Sequence, residues 1–250
     1  MTMKETVEKA YELFSKYRAD RPLDVCTDEC CMKVEDEGLL ASLPVRQIPV
    51  DLLRVYNDSA KPDKTRIEEV KHFLPRYLDL ISEFNFPTHS TELSFSRLTP
   101  FDKSEWTETE LEILEIYSKE FFRKCLNTYP IPSFNDRIEN IIVMFWRADF
   151  QIDKLLEIWE QTDSLESVLH FNELYFQGFN DYTNNKISSS FADNKIGEIM
   201  TNWMESENIK VVFKERIEKL ILGDFDIDEK TLNELNLLYE IVNTEKKNAL

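Results

Sequence analysis

Glycine is scarce in this chain: 4 residues in 250, where ordinary usage would place about 17. Glycine supplies the positive-φ turns of tight hairpins and the bare backbone of phosphate-cradling loops. Its scarcity argues against a hairpin-rich sheet and against nucleotide-binding loops. Long apolar runs are also missing, and nothing approaches the roughly 20 residues needed to cross a bilayer. The first 18 residues are amphipathic and mixed in charge, without the apolar core or small-residue cleavage site of a signal peptide. Cysteine is limited to 4 residues, two of them adjacent, which does not resemble a secreted disulfide framework in a chain of this length. Reduced thiols and a cytoplasmic location are therefore expected. No nucleophile elbow, Walker loop, dinucleotide fingerprint or paired-histidine zinc motif is present, so an enzyme is the less favoured class.

Basic charge is in deficit as well. The formal net charge is -18, and it is unevenly spread: residues 1–98 carry 14 basic and 18 acidic groups, residues 99–250 carry 16 and 30. A field of that sign repels nucleic acid and anionic membrane and steers a basic partner toward the second half. A solubilising surface is the plainer account of the same charge.

What the chain does contain is helix-forming sequence. Apolar residues recur at helical spacing over residues 2–18, 35–43, 50–56 and 65–84, the last with Pro75 inside it. Further helices are expected over 104–127, 135–147, 150–161, 164–179, 195–206, 209–222 and 229–243, while 92–98 reads as a short helix, with an isolated extended piece as the alternative. Thr107 followed by Glu110 reads as a capping pair. Asp153, Asp163, Asp193 and Asp228 stand as caps or first-turn acids. The most polar internal segment, 180–190, reads as a mobile loop. Tyr129-Pro130-Ile131-Pro132-Ser133 is the clearest linker, covering 129–134. The expected architecture is all-α. An irregular N-terminal helical region (1–98) carries a cysteine loop, and it packs on an acidic C-terminal antiparallel bundle or short superhelix (99–250).

Two constellations could carry function. Cys26, Cys30 and Cys31 with His72 offer thiolate and imidazole ligands, and zinc is the metal such a set would take. The spacing lacks a C-x2-C knuckle and a second pair, so the alternative is a loop packed by small thiols. His72 and Arg76 share a helix face one turn from Glu68 and Glu69, as an acid–base pair or an ordinary ion-pair ladder. The second constellation is acidic: Glu157, Glu160, Asp163, Glu166, Asp181, Asp224 and Asp226 are the groups expected to meet a basic protein. Asp224-x-Asp226-x-Asp228 has the opening spacing of a calcium loop, but Glu229 and Leu235 stand where its glycine and bidentate glutamate are needed.

The block Cys30-Cys31-Met32, Leu43-Pro44-Val45-Arg46-Gln47-Ile48-Pro49, Tyr56-Asn57 and Lys71-His72-Phe73-Leu74-Pro75-Arg76-Tyr77-Leu78 resembles a group of uncharacterised bacterial all-helical proteins. That resemblance covers about the first 100 residues and implies no catalytic residue. In its acidic, helical character the chain is also similar in type to immunity proteins that neutralise bacterial toxins. Three readings follow. The leading one is a non-enzymatic protein-binding protein that occludes a basic toxin domain, with neither nucleic acid nor membrane as partner. The others are a metal- or thiol-dependent enzyme or sensor built on the cysteine loop, and a helical scaffold or adaptor.

Overall fold

The computed structural model describes residues 1–29, 31–62, 65–99, 101–133 and 136–243, and among them the protein is all-α. The helices are α1 (Met3–Phe14), α2 (Val34–Ser42), α3 (Val50–Asp58), α4 (Ile67–Ser82), α5 (Glu108–Leu126), α6 (Ile138–Arg147), α7 (Ile152–Gln161) and α8 (Leu165–Gln177). A two-stranded ribbon follows, β1 (Phe179–Asp181) with β2 (Lys186–Ile187), and then α9 (Asn194–Glu205), α10 (Glu207–Leu222) and α11 (Glu229–Asn243). No helix among the described residues is long and apolar enough to cross a membrane.

Helix boundaries follow local chemistry. Thr2 and Glu5 close a capping box at the start of α1. Thr107 and Glu110 close another at α5, each accepting the other's backbone N–H. Ser164, Asp193, Ser206 and Asp228 accept N–H bonds in the first turns of α8, α9, α10 and α11. Asp163 is displaced from the expected cap by its neighbour Ser164 and pairs instead with Lys219 at 3.2 Å. Two other expectations are corrected. Residues 92–98 form only a short 3-10 turn, Thr91–Leu93, followed by further turns. The polar segment 180–190 holds the antiparallel ribbon, in which Phe179 faces Ile187 and Asp181 faces Lys186. Its turn needs no glycine, because the Asp181 carboxylate collects the Asn184 N–H, the Asn184 amide and the Thr183 hydroxyl, and Asn185 takes φ 56°. The glycine the ribbon does need is Gly197 on α9, where a Cβ would collide with the Asn185 carbonyl oxygen. The segment read as a linker is irregular through Ser133, and Phe134 lies outside the described residues.

Contacts divide the chain into two compact units, residues 1–122 with 144–152, and residues 123–143 with 153–250. This boundary differs from the charge division at 98/99. In the first unit α1 packs along α4, and the core gathers Phe14, Tyr56, Phe73, Tyr117, Phe121 and Phe145, all fully buried. Tyr117 and Phe121 stack at 5.9 Å between ring centroids. Pro75 sits within α4 and supplies no N–H to the Lys71 carbonyl.

The same unit buries charge. Lys71 and Glu110 pair at 2.8 Å with side chains 4% and 0% exposed. Lys71 also donates to the Glu105 carbonyl at 2.7 Å and lies over the Trp106 ring at 4.8 Å. Glu110 accepts the Tyr17 hydroxyl at 2.5 Å and the Thr107 N–H at 3.0 Å, with Lys16 3.3 Å away. Burial opposes its charge, but the Lys71 and Tyr17 hydrogen bonds and the Thr107 N–H outweigh that and hold the carboxyl at about 2. A second carboxylate, Glu69, accepts the Asp24 N–H, the Tyr56 hydroxyl at 2.6 Å and Arg66 at 2.7 Å.

The second unit is built on aromatics. Phe171 and Phe213 stack at 3.8 Å, and Trp159 lies 5.0 Å from Trp203. The Trp159 indole N–H donates to the Ser167 carbonyl at 3.1 Å. Two helix ends are closed by side chains. The buried Arg216 guanidinium donates to the carbonyls of Trp159 and Glu160 at the end of α7, and His170 Nε2 donates to those of Cys125 and Thr128 at the end of α5. Burial pushes His170 down to about 4, so it is neutral at physiological pH.

The buried pair sets a stability test for the first unit. Lys71→Met leaves Glu110 charged and buried and is expected to cost about 3–5 kcal/mol in urea unfolding, whereas Lys71→Met with Glu110→Leu recovers most of it. Because the folded carboxyl sits below its ordinary value of 4.5, its contribution is fully present above that value and lost as pH falls toward about 2. The stability gap between the native chain and Glu110→Gln, about 3 kcal/mol at neutral pH, should therefore close across that window.

Candidate functional site

The cysteine segment lies between α1 and α2. The Cys26 N–H donates to the Ala60 carbonyl at 2.8 Å and the Cys31 N–H to the Asp28 carbonyl at 2.8 Å. The two side chains hydrogen-bond to each other. At Cys26 the Asp28 N–H favours the thiolate, but the Cys31 thiol, burial and the Asp28 carboxylate together raise its pKa. A raised thiol is a weaker nucleophile and metal ligand at neutral pH. Cys30 lies outside the described residues. His72 is committed elsewhere: its Nδ1 donates to the Tyr17 carbonyl at 3.0 Å. Among the described residues no group of three His, Cys, Asp or Glu side chains is arranged to hold a metal ion. The expected neighbours of His72 are also differently engaged. Arg76 donates to the Ile48 carbonyl and pairs with Asp79 at 2.6 Å, while Glu69 belongs to the buried network with Asp24 and Tyr56.

The seven acidic residues separate into two kinds. Glu157 pairs with Lys154 at 3.0 Å, and Glu160 accepts the Asn208 amide. Asp163 is shared by Lys219 and Arg216, and Asp181 is consumed by its own turn. Glu166 stands in the first turn of α8 without such a partner among the described residues. Asp224 and Asp226 are exposed in the loop between α10 and α11, and among the described residues neither has a hydrogen-bonding or ion-pairing partner.

Two large apolar side chains stand in solvent here, Leu222 at the last position of α10 with 78% exposure and Phe225 on the loop with 47%. Gly223 makes room for the second, since a Cβ there would collide with the Phe225 ring. The sequence held a signal for Leu222. The buried stripe of α10 runs Phe213, Ile217, Leu220, at spacings of four and three, and Leu222 falls off it. Aromatic and aliphatic anchors with an acidic rim are the composition of a protein-docking patch. A shallow cleft of about 450 Å³ lies on α11, lined by Glu229, Lys230, Asn233, Glu234 and Leu237.

The first unit has a cleft of its own, of about 560 Å³, between the end of α1, the 3-10 turn Val45–Gln47 and α4. It is bordered by Phe14, Arg18, Val45, Gln47, His72 and Pro75, among others. Burial and the nearby Arg18 charge lower the His72 pKa, against the opposing effect of the Tyr17 carbonyl. The Nδ1–H bond therefore leaves a neutral ring with its lone pair on Nε2.

Thiol accessibility follows from these placements. Cys26 and Cys31 are half-buried and Cys125 is fully buried, with burial driving its pKa far up. A disulfide exchange reagent at mildly alkaline pH should label Cys26 and Cys31 in the native protein, and Cys125 only after denaturation, as read by peptide mass analysis.

Compared with known proteins, the chain matches no family model, no curated sequence and no solved structure.

Proposed function

We propose that the protein is a non-enzymatic binding protein whose partner is a basic protein domain, seated on the Leu222–Asp226 segment of the second unit. The observation that carries this reading is the coincidence, at the end of α10 and on the loop after it, of exposed Leu222 and Phe225 with two aspartates that have no partner among the described residues. Of the other candidate acids, Glu157 and Asp163 are ion-paired with lysine or arginine, whereas this loop offers unpaired negative charge beside apolar area. Charge of that kind accelerates encounter with a basic surface, and the aromatic anchor slows dissociation. The excess of 30 acidic over 16 basic groups in residues 99–250 extends the attraction beyond the loop.

An immunity role is the biological setting that fits this chemistry. The acidic groups would stand in for the anionic substrate of a basic toxin, and the docked protein would cover its active surface.

The test begins with the product of the neighbouring gene, scored for toxicity with and without co-expression of this protein. Neutralisation is expected, followed by an association rate that falls about tenfold or more as salt is raised. Asp224→Asn with Asp226→Asn should lower the association rate, while Phe225→Ala should raise the dissociation rate by about 30-fold, the equivalent of about 2 kcal/mol. Toxicity left untouched, or an association rate indifferent to salt, overturns the reading.

A further inference from the structure

We propose that the cleft of the first unit binds a small monocarboxylic acid that carries a hydrogen-bond donor beside its carboxylate and an apolar tail, a 2-hydroxy acid being the simplest case. The argument rests on one backbone oxygen. The Tyr17 carbonyl accepts His72 Nδ1–H at 3.0 Å and Arg18 Nη1–H at 2.7 Å, so imidazole and guanidinium are held side by side by a shared acceptor. Arg18 Nη1 also donates to the Ser15 carbonyl at 2.5 Å. Those bonds fix the guanidinium while leaving its Nη2 and Nε without a partner among the described residues.

The two groups therefore present complementary functions. Arg18 is a positioned cation with two free N–H-bearing nitrogens, suited to a carboxylate. His72, whose tautomer is fixed, is an acceptor at Nε2, suited to a hydroxyl or amide proton. Pro44 and Val45, both reached by solvent, give the cleft apolar wall over the buried Phe14 and Pro75, and the volume of about 560 Å³ suits a small ligand.

The other charged groups narrow the class. Arg46 is not available: Glu8 takes both its terminal nitrogens at 2.8 and 2.6 Å, and its guanidinium lies 3.8 Å over the Tyr11 ring. Tyr11 is bonded to Asp79 at 2.9 Å. Glu12 borders the cleft and adds negative charge. One free cation against one carboxylate favours a monoanion over a dicarboxylate or phosphate.

The experiment is a nitrogen–proton NMR titration of the full chain, following the His72 ring and the backbone amides of Ser15, Arg18 and Gln47. The probes are 2-hydroxy-4-methylpentanoate, 4-methylpentanoate, succinate and inorganic phosphate. Saturable shifts are expected with the hydroxy acid, about five- to tenfold weaker binding without the hydroxyl, and no saturation with succinate or phosphate. Arg18→Gln, a change at an exposed side chain, should abolish binding, while His72→Phe should erase only the preference for the hydroxyl. Retained binding in Arg18→Gln, equal affinity for the two pentanoates, saturation by phosphate or succinate, or no saturable shift with the hydroxy acid overturns the proposal.

Discussion

The buried pair of Lys71 and Glu110 is the constraint on which the first unit depends. Two charges removed from water are costly, and they are tolerated only where nearly every donor and acceptor is met. Here that condition recruits four separate pieces of chain. Lys71 comes from the middle of α4, Glu110 from the first turn of α5, Tyr17 from the segment after α1, and Glu105 from the turn before α5. Trp106 covers the ammonium with its ring. Satisfying one carboxylate thus fixes the relative placement of α1, α4 and α5. The effect extends to the cleft, because Tyr17, held through its hydroxyl by Glu110, offers its carbonyl to both His72 and Arg18.

The same device recurs two residues earlier in α4. Glu69 gathers the Asp24 N–H, the Tyr56 hydroxyl and the Arg66 guanidinium, while Arg97 donates to the Asp24 and Tyr56 carbonyls and stacks on the Tyr56 ring at 3.7 Å. Glu37 does likewise for Arg21 and the Leu23 N–H. Long irregular connections carry backbone polar groups that must be paired if they are buried. In this unit buried carboxylates do that work in place of secondary structure. The second unit, with shorter connections, relies on stacked aromatics and on Arg216 and His170 closing helix ends.

How much of this was legible in the sequence depends on the range of the interaction. Periodicity located the helices, and capping chemistry placed starts such as Thr107, Asp193 and Asp228, because both signals are local. Glu110 was visible as a capping residue. Its partnership with Lys71 was not, since 39 positions separate them and neither spacing nor composition links them. The ribbon at 179–187 was hidden because its turn is built from Asp181, Asn184 and Asn185 rather than glycine, so the segment looked merely polar. His72 was singled out as a ligand beside cysteines, yet its direction is decided by a carbonyl 55 residues earlier. Cys30, the middle member of that set, lies outside the described residues.

Charge counting illustrates the same boundary from the other side. The excess of acid in residues 99–250 was plain, but a count treats all carboxylates alike. Glu157 and Asp163 are ion-paired with Lys154 and with Lys219 and Arg216, while Asp181 keeps its charge but turns its oxygens to Thr183 and Asn184 in its own turn. Asp224 and Asp226 have no partner among the described residues, and they flank the exposed ring of Phe225. A partner senses the charge that remains after internal pairing. Thirty cations can pair at most 30 of the 48 acids, so what singles out Asp224 and Asp226 is their place beside exposed apolar side chains, and on the first unit what singles out Arg18 is a guanidinium edge without a partner among the described residues, beside a neutral imidazole. The chemistry available to each unit is set by which of its ions the fold has left unpaired.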